Sequence, residues 1–142
     1  MKRAAFSVSA TLLMAGACLA QSQELQMLND LRATENLPSV SYSVILQRAA
    51  LKHAQDMHAN DIFSHQGRDG SDVAQRVRNE GYDFCVVAEN IAKGHRDLDE
   101  VFRAWMDSPG HRANIMSSEV TEFAVVEGRD SIWVMVLAAP GC

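Results

Sequence analysis

The stretch IWVMVLA, Ile132 to Ala138, limits the fold of this chain more than any other. A strand with one wet face alternates apolar and polar side chains, whereas an unbroken apolar run needs cover on both faces. Just upstream, Phe123 and Val125 alternate with smaller or polar neighbours, and EGRDS supplies a turn. The segment reads as an antiparallel hairpin whose second strand is covered on both sides. Everything before it carries helical spacing. Helices first and strands last predict an α+β layer fold.

Four helices are legible upstream. Leu25, Leu28 and Leu31 mark the first, which should end before Leu37-Pro38. The second runs from about Ser43 to Asn60, with Leu46, Ala50, His53 and Met57 on one stripe. A histidine inside such a stripe is expected to be a hydrogen-bonded core residue. After the turn-rich FSHQGRDGSD comes a helix with Val73 and Val77 on one face, stopped by Gly81. Leu98, Val101 and Trp105 outline the next, started by Asp97, with Trp105 expected in the core. No repeat, low-complexity tract or linker divides this region, so one domain is expected.

The first twenty residues are of another kind. Lys2 and Arg3 precede an uncharged run from Ala4 to Ala20 that ends in ACLAQ, with small residues at Cys18 and Ala20. This is the pattern of an export signal cleaved after Ala20, giving a leader over 1–20 and a mature domain over 21–142. The run is barely long enough to span a bilayer and lacks a basic stop, so stable membrane insertion is not expected. MAGAC also leaves a lipoprotein reading of Cys18 open, although Ala15 stands where a branched apolar residue is usual. The expected location is exported, either periplasmic or extracellular.

Cleavage takes the formal charge from −5 to −7 by removing Lys2 and Arg3. Nucleic acid and anionic membranes call for clustered Lys and Arg, so neither is an expected partner. Cleavage also leaves two cysteines, Cys85 and Cys142, an even count suited to a disulfide in an oxidising compartment. That bond would hold the last residue of the chain.

Chemistry centres on WMDSPGHRANIM. Ser108 suits an N-cap, Pro109 the first helical position, and His111 then falls in the first turn. The field of unpaired N–H groups there disfavours imidazolium. A neutral ring is what a metal or a proton donor needs. His65 and Glu89 are the natural partners, although no two of the three have local ligand spacing.

The order LNDLR, HAQDM, FSH, AENIAKG and W-M-D-S-P-G-H-R-A-N-I-M resembles the CAP superfamily: cysteine-rich secretory proteins, antigen 5 and pathogenesis-related 1 proteins, in its bacterial, SCP-like extracellular form. The likeness runs from about Leu25 to Ala138. It implies a three-layer α-β-α sandwich, with a small antiparallel sheet between helices and a cleft on one side. In that family two histidines and two acids converge on the cleft, and the histidines can bind zinc or another divalent cation. By resemblance His65 and His111 are the two histidines, and Glu89 is the acid of the E-N pair. The second acid is missing. Relatives from eukaryotes carry it three residues after the tryptophan, where this chain has Ser108. Asp107 is one step away, and one helical step turns a side chain by about 100°. His58 and His95 match no motif and are expected in solvent, and Arg112 is read as a surface residue near the cleft rim.

Three functional readings follow. The first is an exported, monomeric binding module whose His65, His111 and Glu89 hold a divalent metal or a small envelope-derived or lipid ligand. The second is a metal-assisted hydrolase in which two imidazoles and a carboxylate leave Zn²⁺ an open position for water, with Glu89 as third ligand or as acid/base. The third is a protein-interaction scaffold with a vestigial cleft. No G-x-S-x-G elbow or marked nucleophilic serine supports a serine hydrolase. The absent second acid favours the binding module, since a fold does not fix a reaction.

Overall fold

In a computed structural model of the protein, residues 23–142 are described; the leader expected over 1–20 lies outside them. Helix α1 covers 23–33, and is followed by β1 (Ser41–Tyr42), α2 (Val44–Ala59) and α3 (Val73–Asn79). Then come β2 (Phe84–Lys93), α4 (Leu98–Asp107), α5 (Pro109–Ile115), β3 (Glu122–Glu127) and β4 (Ile132–Pro140). The strands form one sheet in the order β1-β3-β4-β2.

The apolar run is the inner strand. β4 pairs antiparallel with β3 on one side and with β2 on the other. Its alternate residues Ile132, Val134, Val136 and Ala138 pack with Leu46, Ala50, Ala54 and Met57 of α2 and Val77 of α3. Trp133, Met135 and Leu137 point the other way, into Leu28 of α1, Phe102 and Trp105 of α4, and Ile115 of α5. Two apolar cores therefore flank one sheet, which is the three-layer sandwich. β3 shares this burial: Phe123 and Val125 join one core, Ala124 and Val126 the other.

Two expectations about the sheet need correction. "Helices first, strands last" fails, because β1 and β2 lie among the helices. The sheet is also mixed rather than purely antiparallel, because β1 runs parallel to β3. A two-residue strand needs outside support, and Asn29 of α1 gives it by bracketing the backbone of Val40 with two hydrogen bonds, 2.8 and 3.0 Å long.

Local signals set most boundaries. The Ser43, Asp72 and Asp97 side chains cap α2, α3 and α4, and Asp72 forms a reciprocal capping box with Gln75. α3 ends where Gly81 adopts φ +85°: its N–H and that of Tyr82 reach back to Arg78 and Val77, a left-handed cap that a glycine enters without strain. Gly128 starts the β3–β4 turn, and a Cβ there would lie 2.9 Å from Ala54 Cβ, so the hairpin can lie flat on α2. Ser108 is the N-cap residue of α5, but its side chain makes no cap hydrogen bond, contrary to expectation. It ends α4 as well, and its extended backbone (φ −97°, ψ 117°) breaks the two helices apart.

Cys85 and Cys142 are joined, with Cα atoms 5.2 Å apart. The bond fastens the chain's last residue to the start of β2, where the register shifts between Phe84 and Val86. Among the described residues no helix is long and apolar enough to cross a membrane.

Candidate functional site

β2 is an edge strand, and the candidate site is built around its middle. Glu89 lies opposite Val136 and Asn90 opposite Met135, so these neighbours point to opposite faces of the sheet. Glu89 faces α2 and α3, while Asn90 faces α5. A charged and an amide side chain, both buried, would each be costly without partners. Both have them.

The Glu89 carboxylate is 2% exposed and both of its oxygens are engaged. Oε2 accepts from Arg76 Nη2 at 2.7 Å, and Oε1 accepts from His65 Nδ1 at 2.8 Å. The His65 side chain is 59% exposed, so its Nε2 is the ring nitrogen left on the open side. Behind it lies His53, fully buried as expected of a core histidine. Its Nε2–H donates to the Ser64 carbonyl at 2.9 Å and fixes the backbone beside His65. His53 Nδ1 has no partner among the described residues. Burial, above all, holds the His53 pKa below the ordinary histidine value, against a smaller opposing pull from Glu89.

The other half of the site hangs from α5. Asn90 donates to the His111 carbonyl at 3.1 Å, and Asn114 Nδ2 reaches Asn90 Oδ1 at 2.9 Å and the Glu89 carbonyl at 3.4 Å. Residues 111 and 114 share a helix face, so one short helix presents both the imidazole and the amide that seats it. From the far end Arg32, fully buried on α1, donates to the carbonyls of Ile115 and Ser117, both at 2.8 Å. The His111 pKa also lies below the ordinary value, first through burial and second through repulsion from a charged His65. The neutral ring expected there is thus favoured, with desolvation as the leading cause.

Of the three residues singled out in the sequence, His65 touches Glu89 directly, and the His111 carbonyl is held by Asn90, the neighbour of Glu89 on β2. The remaining histidines lie elsewhere. His58 Nδ1 pairs with Asp130 at 2.7 Å, and the carbonyl of the loop residue His95 accepts from Trp133. Arg112 meets Glu35 at 2.8 Å with both half-exposed. Trp105 is in the core and donates to the Ile91 carbonyl. Among the described residues no group of three or more His, Cys, Asp or Glu is placed to hold a metal ion. Each Glu89 oxygen already accepts one hydrogen bond, Oε1 from His65 and Oε2 from Arg76.

Sequence reasoning missed Arg76, Asn90, Asn114 and Arg32. A local signal existed for Arg76: the Asp72 cap fixes the phase of α3, and Arg76 flanks the inward Val73 and Val77.

Compared with known proteins, residues 25–136 match the model of the cysteine-rich secretory protein family, CAP. The chain belongs to this family. Among its CAP relatives, the uncharacterized protein YkwD of Bacillus subtilis (strain 168) is 31% identical over 115 residues, 80% of this chain and 44% of YkwD. The uncharacterized membrane protein YlbC of the same organism is 28% identical over 105 residues, 74% of this chain and 30% of YlbC. The chain thus spans less than half the length of these curated relatives. Its CAP fold superposes with a TM-score of 0.78 on an extracellular SCP-domain protein from Bacillus anthracis str. Ames, at 26% identity over 82% of this chain and 39% of that one. An outer surface protein of Borrelia burgdorferi shares the fold at TM-score 0.74 and 21% identity, over 88% of this chain and 92% of that one.

Proposed function

We propose that the chain is an exported, monomeric binding domain whose cleft takes a divalent transition-metal ion on His65 and His111. One observation carries this reading: Glu89, buried and tied to Arg76, receives the Nδ1–H of His65 and leaves Nε2 of that exposed ring as its other nitrogen. A carboxylate behind a histidine fixes the ring's tautomer and orientation and raises its basicity toward a ligand. Glu89 is therefore a positioning group here, neither a ligand nor an acid/base. A carboxylate that is 2% exposed and already holds two donors is shut off from a substrate. His111, kept neutral by burial, supplies the second lone pair.

Bound there, a divalent ion would supply Lewis acidity and open positions for water or a small envelope-derived ligand. The chain's own work is to hold the two rings, and the carboxylate beside them, Glu89, already accepts from Arg76 and His65. That favours binding over hydrolysis. Export after cleavage at Ala20 rests on the leader pattern and the Cys85–Cys142 bond, and on the extracellular character of the Bacillus anthracis neighbour.

Calorimetric titration with Zn²⁺ near neutral pH tests the reading. His65→Ala and His111→Ala should each lose most of the binding, while His58→Ala and His95→Ala should keep it. Equal binding by all four variants would refute it.

A further inference from the structure

Arg76 bonds from α3 to two other segments, the turn at Ser71 and strand β2. It projects from α3 with its side chain only 10% exposed. Its two terminal nitrogens divide their work: Nη1 donates to the Ser71 carbonyl at 2.7 Å, and Nη2 donates to Glu89 Oε2 at 2.7 Å. Ser71 closes the turn after His65, where the Gly67 N–H also binds its carbonyl at 2.8 Å. One guanidinium therefore anchors both the far end of the loop that carries His65 and the carboxylate that orients its ring. A planar fork gives each acceptor its own nitrogen, whereas an ammonium gathers its donors on one atom.

We infer that Arg76 is a positioning residue of the cleft, setting the tautomer and direction of His65 through Glu89. With Oε2 held by Arg76, Oε1 is fixed against His65 Nδ1, so the ring must carry its proton there and present a bare Nε2. Without Arg76 the carboxylate is free to turn, the loop loses its tie at Ser71, and the preference for the Nδ1–H form relaxes. The metal arm of this inference rests on the proposed role of His65 as a ligand; the tautomer arm does not.

The test follows the ring nitrogens of His65 by long-range ¹H–¹⁵N NMR at about pH 8, where an ordinary histidine is neutral, together with Zn²⁺ titration. The parent should show a protonated Nδ1 and a bare Nε2. Arg76→Met should mix the two tautomers and weaken Zn²⁺ binding roughly tenfold or more, the usual loss when an outer partner of a ligand is removed. Arg76→Lys keeps the charge without the fork and should lie between. In a Glu89→Gln background, adding Arg76→Met should change the His65 signals no further. A parent-like His65 spectrum with parent-like Zn²⁺ affinity, in whichever Arg76 variant folds, overturns the proposal. Should the parent bind no Zn²⁺ through His65, the reading of the cleft fails, yet the ring spectrum still decides the role of Arg76.

Discussion

Glu24 on α1 holds a partly buried carboxyl group. Its Oε2 is buried and unbonded among the described residues, and burial pushes its pKa up from 4.5 to about 7. A carboxyl group whose pKa is higher in the folded state stabilises the fold below its unfolded pKa, and that contribution is lost as pH rises toward 7. Glu24→Gln should therefore stabilise the protein at about pH 8, by roughly 1 kcal/mol once partial solvent screening is allowed for, and do little at about pH 4. Denaturant unfolding at both values checks this, and an equal effect at both would contradict it. His53 and His111 have the opposite sign. Their pKa values are lowered on folding, so the unfolded chain binds more protons and stability falls as pH drops through about 6.5. His53→Gln should flatten that acid limb, read as a smaller change in unfolding midpoint between about pH 7.5 and pH 5.

Among the elements, the three acting caps and the idle one make a direct comparison. Asp72→Ala and Asp97→Ala each remove a bond to a helix-start N–H and should cost about 1 kcal/mol. Ser108→Ala removes no such bond and should fall within about 0.5 kcal/mol of the parent. Thermal melts of the three variants decide it, and a cost at Ser108 equal to the others would place its hydroxyl in a cap after all. Helix starts were legible because a cap and its N–H lie within three residues of each other. β2 was not legible. Glu89 and Asn90 sit at its centre and break the apolar pattern of a buried strand, and what makes them tolerable there is Arg76 from α3 and Asn114 from α5. Those partners are chosen by the fold and leave no local spacing to read.

At the scale of the whole molecule, one inner strand organises both cores, and its unbroken run Ile132–Ala138 was readable from sequence alone. The site was half readable. His65, Glu89 and His111 were singled out by their motifs, whereas the contacts that Glu89 makes depend on its burial against α3. The Cys85–Cys142 bond closes a loop that carries the middle of the site and ends the chain. Cys142→Ser should lower the denaturant midpoint, with a loss of up to about 4 kcal/mol for so long a loop, and leave the cleft histidines in place. Intact mass before and after reduction checks the bond itself, and two free thiols in exported protein would contradict it. Anomalous scattering at the zinc edge from Zn²⁺-loaded crystals shows directly what a bound ion touches. It should place one ion at about 2.0–2.1 Å from a ring nitrogen of each of His65 and His111, with Glu89 still held by Arg76. An ion bound by the Glu89 carboxylate, or one that avoids the two histidines, would contradict the account.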